Sequence, residues 1–316
     1  MRHALLPDPR GNRHPHVRAL TQGHPTPNAH PLRRALPYFL LAGFFFSTLD
    51  ATAKYLVRDH ALFLVVWARY AGQMVVVTPI TWHRAGPGFW STQHLRMQLA
   101  RSCCLVVATL CFFGALRYLP LAEASAITFL APMFAILLSK PVLGEKPTRA
   151  RWMASIVGFI GIVILVRPGS AVFHPATALL VLAALSNALY QLLTRKLPND
   201  SPQTTLFYSA LVGTALLSLA LPFTDLPHEV TVRDGVFLLL LGLLAGFGHW
   251  LLISAFLAAP ASLVAPFTYL QMIWATLYGY LVFSQLPDGL SAVGMAIIVA
   301  SGIGLFLHER RMRPGV

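Results

Sequence analysis

Charged side chains are scarce in this sequence. Asp, Glu, Lys and Arg make up only 11% of its 316 residues, whereas hydrophobic residues make up 56%. Soluble globular proteins carry about 25% charged residues, so the composition excludes an ordinary soluble domain. Several apolar runs extend over about twenty residues, the length that a helix needs to cross a bilayer, and they lack the alternation of barrel strands. We therefore expect an all-α integral membrane protein.

Cysteine and acidic residues are also few. Cys103, Cys104 and Cys111 all lie in one apolar run, which excludes a disulfide framework and does not have metal-site spacing. We expect neither a metal nor another cofactor. A GxxxxGKS/T motif is absent, which argues against an ATP-driven pump. The net charge of +13 falls in the N-terminal tail and in loops, so nucleic acid is not an expected partner.

The sequence contains an internal repeat with an offset of 140 residues. The matching pairs include Ala115 and Ala255, Pro120 and Pro260, Thr128 and Thr268, Leu130 and Leu270, Val142 and Val282, and Pro147 and Pro287. A fixed offset of this kind indicates a duplicated structural unit. In an apolar chain, two such halves are typical of a transporter built by duplication.

The apolar runs predict ten transmembrane helices in two sets of five. The first set is expected near Ala35–Leu56, Ala61–Thr81, Ser102–Leu119, Leu121–Leu143 and Trp152–Val166. The second set is expected near Ala176–Leu193, Thr204–Leu221, Gly235–Ala258, Ala261–Phe283 and Leu290–Leu307. The predicted units are a disordered cytoplasmic tail over 1–34, a first repeat over 35–168, a second repeat over 176–307 and a cytoplasmic tail over 308–316.

The loops predict an orientation. With the N-terminus in the cytoplasm, 18 of the 24 Lys and Arg residues fall on the inner side and four on the outer side, with Arg101 counted in an inner loop. This asymmetry predicts that both termini lie in the cytoplasm. The chain itself is expected in the inner membrane. Because each set has five spans, the second enters with the opposite orientation, and inverted repeats are expected.

Three charged residues in the first two spans form a predicted cluster. Asp50 is expected roughly 22 Å from the inner face and Arg69 roughly 12 Å from the outer face. Their depths nearly match in a hydrocarbon core about 30 Å thick, and Lys54 lies one turn beyond Asp50. The cluster has two interpretations, a structural ion pair or a site for a substrate carboxylate or phosphate.

A second candidate region lies on span nine. Phe267, Gln271, Trp274 and Tyr278 share one face of the predicted helix, with Gln271 near mid-membrane. An amide flanked by rings suits a planar heteroaromatic ligand, such as a flavin or adenine group, through stacking and hydrogen bonding. The alternative is ordinary aromatic packing, with Tyr278 in an interfacial belt.

Four further polar residues are candidates for the binding site. His249 on span eight lies at a depth comparable to that of Gln271, with a packing residue as the alternative interpretation, and span six adds Asn187 and Tyr190. Glu123 begins span four and could bind a proton or a cation, or could simply be a solvated carboxylate at a helix N-terminus.

Prolines and small residues suggest how the spans bend and pack. Pro132 and Pro266 interrupt spans four and nine, and bent spans near the midplane often mark the site in inverted-repeat transporters. Spans five and ten carry small-residue ridges expected to pack closely, namely Ala154 with Gly158, and Ala296 with Ala300 and Gly304.

These patterns resemble the drug/metabolite transporter superfamily, EamA type. The first half shows Leu119-Pro120, Pro132 and Leu143-Gly144-Glu145, and the second half shows Pro260, Ala265-Pro266 and Thr268-Tyr269, with Ser284-Gln285 in place of the Gly-Glu pair. The resemblance implies that spans one to four and six to nine line a central pocket. Asp50-x3-Lys54 with Arg69 is similar to the branch that includes importers of riboflavin and S-adenosylmethionine. Other branches export amino acids.

The expected function is secondary transport of a small polar metabolite by alternating access, without enzymatic activity. Riboflavin, S-adenosylmethionine and amino acids are the candidate substrates. A membrane-embedded enzyme acting on lipid-linked substrates is the alternative, and it would need a polar catalytic cluster at the membrane surface. A receptor or scaffold that does not transport is a further alternative. The expected partners are the substrate and the bilayer, and the sequence leaves open whether the chain forms a homodimer.

Overall fold

The computed structural model describes residues 31–169, 173–197, 200–224, 230–259 and 268–312. Within these ranges the chain is helical and contains no strand. Residues 1–30 of the predicted tail lie outside the described residues, as do Pro260, Ala265, Pro266 and Phe267.

The described residues form eleven α-helices, which are numbered in chain order. The first half contains α1 (Pro31–Leu56), α2 (Leu62–Ala85), α3 (Leu95–Leu116), α4 (Leu121–Ile127), α5 (Leu130–Leu143) and α6 (Arg149–Val166). The second half contains α7 (Thr177–Arg195), α8 (Pro202–Ala220), α9 (Val232–Ala258), α10 (Leu270–Phe283) and α11 (Gly289–Met312). A 3-10 turn at Leu221–Phe223 follows α8.

The helices confirm a multi-pass, all-α membrane protein. Nine segments within the described residues are long and apolar enough to cross a membrane, with α4 and α5 forming one of them. The described part of the predicted ninth span is α10, a shorter apolar helix of 14 residues.

Several helices are longer than the hydrophobic runs predicted. Helix α1 begins at Pro31, and α11 continues to Met312, so both enter the predicted tails. Helix α3 begins at Leu95, seven residues before the predicted start, and the placement of Arg101 in a loop is therefore wrong. The predicted third span begins just after this arginine, because a charge is costly in lipid. In the folded chain, polar neighbours surround Arg101 and shield it from lipid.

The predicted fourth span is interrupted between α4 and α5. Pro132 has no backbone N–H to donate to the preceding turn, and the interruption lies one turn before it, at Thr128 and Phe129. The Thr128 hydroxyl donates to the Ser125 carbonyl at 2.6 Å, and the Phe129 N–H donates to the Ala126 carbonyl at 3.1 Å. These contacts close a tight turn in the middle of the bundle.

The second half reproduces the geometry of α5. Helix α10 has the same length as α5 and starts 140 residues later. Both helices end in a left-handed residue, Gly144 with φ 74° and Ser284 with φ 54°. The rings of Phe129 and Tyr269, which precede the two helices, stack at 4.8 Å with an interplanar angle of 17°. The sequence repeat is therefore also a local structural repeat.

Glycines allow two pairs of helices to approach closely. A Cβ added to Gly242 of α9 would lie 2.3 Å from the Cα of Gly72 in α2. Similarly, a Cβ added to Gly161 of α6 would lie 2.8 Å from the Gly294 carbonyl oxygen in α11. Side chains larger than hydrogen would separate the helices at these crossings, which is the usual role of small residues between membrane helices.

The predicted small-residue ridges are only partly used inside the chain. Gly158 of α6 faces Ser301 of α11, with 3.2 Å between an added Cβ and the hydroxyl. The ridge on α11 points outward, because Ala296, Ala300 and Gly304 are exposed. Within the described residues, α11 packs on α6 through Gly294 and Ile298 and not through the predicted ridge.

Polar contacts between loops lie at two separate ends of the bundle. At the end that joins α1 to α2, here called the α1–α2 end, Arg167 pairs with Asp288 and Arg117 donates to the Arg58 carbonyl. The contacts at the opposite α2–α3 end are Arg151 with Glu309, Arg195 with Glu145, and Thr92 with Asp200.

Candidate functional site

A cavity of about 240 Å³ lies inside the bundle where α1, α2, α3, α7 and α10 surround the break between α4 and α5. Its polar lining residues are Asp50, Arg69, Thr109, Thr128, Asn187 and Gln271. Its apolar lining residues are Phe46, Leu49, Leu105, Ala108, Phe112, Phe113 and Ala183. Four of the residues predicted for the site therefore line one cavity, namely Asp50, Arg69, Asn187 and Gln271.

Asp50 and Arg69 both line this cavity without forming an ion pair. Their exposed fractions are 8% and 7%, so both charges are largely withdrawn from solvent. Among the ion pairs between described residues, none joins these two side chains. The Asp50 carboxylate instead accepts a long hydrogen bond of 3.4 Å from the Gln271 amide. The two side chains therefore line the same cavity, as the predicted cluster requires, but they do not form the predicted ion pair.

Arg69 is positioned by its neighbour in sequence and keeps an unused donor. Its guanidinium lies 4.5 Å from the centre of the Tyr70 ring, a cation–π contact. The Tyr70 hydroxyl is within 2.9 Å of the Thr109 hydroxyl, which fixes the ring against α3. The Nη1 atom of Arg69 is buried and has no hydrogen-bond partner in the structure. A group that enters the cavity with a free acceptor can satisfy it.

Lys54 does not join the Asp50–Arg69 cluster. Its Nζ donates to the carbonyl oxygens of Leu116, at 3.0 Å, and Leu119, at the C-terminal end of α3. It also lies 5.4 Å from the centre of the Phe283 ring. The prediction that Lys54 pairs with Asp50 is therefore wrong. Lys54 binds these carbonyls instead, because the unpaired carbonyls of a helix C-terminus attract a cation.

Glu123 also lies outside the cavity lining, in a polar cluster at the α1–α2 end. Ser291 donates to its carboxylate at 3.2 Å, and Arg167 bridges toward Ser291 and Asp288. Arg167 lowers the pKa of Asp288 below its ordinary value by donating a hydrogen bond to the carboxylate. The stabilising contribution of Asp288 is therefore present at neutral pH and is lost as the pH falls through this lowered pKa.

The aromatic stripe of the ninth span divides between two environments. Gln271 reaches the cavity, whereas Trp274 packs edge to face against Phe44 of α1 at 5.3 Å. The Tyr278 hydroxyl lies 2.6 Å from the Thr48 hydroxyl, also on α1. Neither Trp274 nor Tyr278 belongs to the cavity lining. Their observed contacts correspond to the packing interpretation of the stripe.

His249 lies beside the lining without belonging to it. Its ring packs edge to face on Phe46, a lining residue, at 4.9 Å. Its Nδ1 is 2.8 Å from the Ala245 carbonyl oxygen, which can only accept, so Nδ1 carries the proton in this contact. The histidine therefore supports a wall of the cavity through Phe46.

Tyr190 belongs to a different polar cluster, built around Arg101. Arg101 is fully buried and lies 4.7 Å from the centre of the Tyr190 ring. Its guanidinium donates to neutral acceptors on α3, α7 and α8, which are Gln98 at 2.7 Å, Thr194 at 2.9 Å, the Thr205 carbonyl at 2.9 Å and Ser209 at 3.0 Å. Sequence patterns do not predict this cluster, because they place Arg101 in a loop.

The cavity also contains residues that sequence patterns did not select. Thr109 and the pair Phe112 and Phe113 lie in an apolar run in which nothing distinguishes them. For Thr128 a signal was present, since it belongs to the internal repeat and lies one turn before Pro132. The helix break could therefore have indicated Thr128 as a lining residue.

The lining is suited to binding a small polar molecule. One carboxylate, one guanidinium and two amides face a common space bounded by aromatic rings. Few polar groups within a mostly apolar wall are typical of ligand pockets. The described part of the chain contains no group of three or more His, Cys, Asp or Glu side chains that could hold a metal ion.

Comparison with known proteins identifies transporters as relatives. A riboflavin transporter of Vibrio cholerae is 34% identical over 279 residues, which cover 86% of this chain and 92% of the relative. An S-adenosylmethionine uptake transporter of Rickettsia prowazekii is 28% identical over 277 residues, covering 87% and 92%. A pseudopaline exporter of Pseudomonas aeruginosa is 29% identical over 273 residues, covering 84% and 93%.

A solved structure has a similar fold, and a family profile matches both halves of the chain. A crystal structure whose chain is 19% identical superposes with a TM-score of 0.64, covering 89% of this chain and 99% of that chain. The profile of the EamA-like transporter family matches residues 33–167 and, a second time, residues 174–307. The resemblance found in the sequence is thereby confirmed: this chain belongs to the EamA-like transporter family.

Proposed function

We propose that this protein transports a small polar metabolite across the cytoplasmic membrane by alternating access, with the central cavity as its substrate site. The observation that carries the proposal is the pair of buried side chains of opposite charge type, Asp50 and Arg69, that line one cavity without a direct ion pair between them. Ionisable residues inside a membrane bundle typically mark a substrate or ion pathway. The helix break at Thr128 lies on the same cavity, as expected where transporters bind at a discontinuous helix.

We further propose that the two halves are inverted repeats. Several helix contacts support this arrangement, because they occur in corresponding pairs: α1 packs on α9 as α3 packs on α7, and α10 packs on α1 as α5 packs on α7. Helices α6 and α11, which correspond to each other, also contact each other, as do α2 and α8. A two-fold axis in the membrane plane would produce such a pattern, and rocking of one half against the other would then alternate access.

The orientation with both termini in the cytoplasm belongs to the same proposal. Among the described residues, the pairs Arg167–Asp288 and Arg195–Glu145 each join segments that are predicted on the same side of the membrane. The excess of Lys and Arg in the predicted inner segments supports assigning the α2–α3 end to the cytoplasm.

The relatives support a small metabolite as the substrate. Two of them are named as transporters of riboflavin and of S-adenosylmethionine. We retain these two and amino acids as candidates. The alternative, a membrane-embedded enzyme on lipid-linked substrates, is less well supported. It would need a catalytic cluster at the membrane surface, whereas the opposite charges described above face an internal cavity.

Counterflow in proteoliposomes tests the proposed function. Vesicles that contain the purified protein are loaded with unlabelled riboflavin, S-adenosylmethionine or mixed amino acids, and uptake of the corresponding labelled compound is followed. We expect label to accumulate only with the protein present and to be recovered chemically unchanged. Asp50→Asn and Arg69→Gln should each reduce the initial rate about tenfold or more, since hydrogen bonds to charged groups contribute about 1.5–3 kcal/mol.

The matched control for the lost charge is Arg96→Gln, because Arg96 is exposed at the start of α3. We expect its transport rate to equal that of the wild type. Uptake no greater than in protein-free vesicles for every compound would contradict transport, and chemical conversion of a compound would favour the enzyme.

A further inference from the structure

Gln73 and Ser102 lie outside the cavity lining and have no hydrogen-bond partner among the residues that the structure describes. Gln73 of α2 is 0% exposed, and neither its Nε2 nor its Oε1 atom is paired. Ser102 of α3 is also 0% exposed, and its hydroxyl is unpaired. Buried polar groups are normally hydrogen-bonded, because an unsatisfied group loses its bonds to water without replacement. Both side chains therefore keep donors and acceptors that the fold itself does not use.

Gln73 lies on the face of α2 that points into the bundle. It follows Arg69, which lines the cavity, by four residues. It follows Tyr70, whose hydroxyl meets that of Thr109 in α3, by three residues. Residues three and four apart are neighbours on a helix surface, so Gln73 lies between the directions of Arg69 and Tyr70. At about 1.5 Å per residue, it is displaced roughly 6 Å from Arg69 towards the α2–α3 end.

Ser102 continues the cavity-lining face of α3 towards the same end. It precedes Leu105 by three residues and Thr109 by seven, and both of these line the cavity. The residue before it, Arg101, belongs to the polar network that joins α3, α7 and α8. This network begins one turn beyond Leu105, so Gln73 and Ser102 lie between the cavity and the Arg101 network.

Matched side chains within that network show the satisfied case. Gln98 is 0% exposed, donates to the Asp200 carboxylate at 2.7 Å and accepts from Arg101 at 2.7 Å. Ser209 is 1% exposed and accepts from Arg101 at 3.0 Å. The bundle thus pairs a buried amide and a buried hydroxyl where they hold helices together.

We propose that Gln73 and Ser102 line the half of the substrate path that leads from the cavity to the α2–α3 end, where they hydrogen-bond polar groups of the molecule in transit. The inference rests on the proposed transport function and adds residues to its path. An amide and a hydroxyl can each donate and accept, so they serve both kinds of ligand group. Neither carries a charge, which suits a stage that a ligand must leave as well as enter. The Arg101 network closes this half of the path in the conformation described.

Thermal unfolding in detergent is the first half of the test. Gln73→Met removes the amide while nearly keeping the shape of the side chain, and Ser102→Ala removes the hydroxyl. Both variants should unfold at or above the wild-type midpoint, because each loses an unpaired buried polar group. The matched variants Gln98→Met and Ser209→Ala should unfold several degrees lower, because each deprives Arg101 of an acceptor.

Counterflow in proteoliposomes is the second half. It is measured with whichever of riboflavin, S-adenosylmethionine and mixed amino acids the wild type exchanges. Gln73→Met should lower the initial rate about tenfold and Ser102→Ala about threefold, since an amide offers more hydrogen bonds than a hydroxyl. A lower rate at undiminished stability indicates contact with the transported molecule, because a structural role would lower the midpoint as well.

Two outcomes would overturn the assignment of either residue. One is a wild-type rate of counterflow. The other is an unfolding midpoint below that of the wild type, which would show that the polar group has a structural partner such as a trapped water. Absence of counterflow by the wild type with every compound refutes transport itself, whereas exchange that both variants retain in full refutes only this inference.

Discussion

At the scale of single residues, Arg101 shows how this bundle accommodates a charge without a direct carboxylate partner. It is fully buried, and its donors reach Gln98, Thr194, Ser209 and the Thr205 carbonyl at 2.7–3.0 Å. The nearest link to an anion is indirect, since Gln98 also donates to the Asp200 carboxylate at 2.7 Å. Charge-assisted bonds to several acceptors hold α3, α7 and α8 together at the α2–α3 end.

We expect Arg101→Gln to destabilise the protein by about 3 kcal/mol, because it removes charge-assisted hydrogen bonds and leaves buried acceptors unpaired. Thermal unfolding in detergent should show a midpoint several degrees below that of the wild type. Arg96→Gln, one and a half turns earlier on the same helix but exposed, should unfold like the wild type. A normal midpoint for Arg101→Gln combined with lost transport would instead assign this arginine to the substrate pathway.

At the scale of helices, close crossings depend on glycine at particular positions and not on small residues in general. Helices α6 and α11 meet where Gly161 and Gly294 lie with each backbone against the other. The ridge formed by Ala296, Ala300 and Gly304 lies on the exposed side of α11. Small residues on the two sides of α11 thus differ in role, because only Gly294 faces a partner helix within the chain.

Alanine at two glycines should therefore have opposite effects. Gly161→Ala places a Cβ 2.8 Å from the Gly294 carbonyl and 3.0 Å from Ile298, and overpacking of this kind costs about 1–3 kcal/mol. Gly304→Ala meets nothing within 4 Å and should be neutral or stabilising by up to about 1 kcal/mol, because alanine favours helix. Unfolding midpoints of the two variants check this, and equal shifts would show that α6 and α11 separate easily.

At the scale of the whole molecule, polar contacts at the two ends enclose the central cavity. Arg167, Asp288, Ser291 and Glu123 connect α4, α6 and α11 at the α1–α2 end. The Arg101 cluster and the pair Arg195–Glu145 lie toward the α2–α3 end. In an alternating-access cycle, contacts at each end would have to form and separate in turn, so both networks are candidates for stabilising one conformation over the other.

The orientation of the molecule gives a prediction for the full chain. A C-terminal green fluorescent protein should be fluorescent and a C-terminal alkaline phosphatase inactive, since the basic α2–α3 end is expected in the cytoplasm. Alkaline phosphatase inserted within residues 225–229, between α8 and α9, should be active. The opposite pattern of activities would reverse the proposed orientation, while leaving the helical fold unchanged.

The sequence alone determined the class of fold, most of the spans and the family. Hydrophobic runs of membrane length specify helices because the backbone must satisfy its own hydrogen bonds in lipid. The offset of 140 residues revealed the duplication, and Pro132 indicated the break that the structure shows at Thr128 and Phe129. These features are local, so they can be derived from neighbouring residues along the chain.

Only the tertiary structure decided which polar residues meet. Lys54 and Asp50 lie one turn apart on α1, yet Lys54 binds the carbonyls at the end of α3 while Asp50 lines the cavity. Gln271 and Trp274 are also neighbours on α10, yet only Gln271 reaches that cavity. Small differences in direction around a helix axis lead to different partners, and the partners belong to helices distant in sequence. The packing of the whole bundle therefore selects the site from the candidates that the sequence provides.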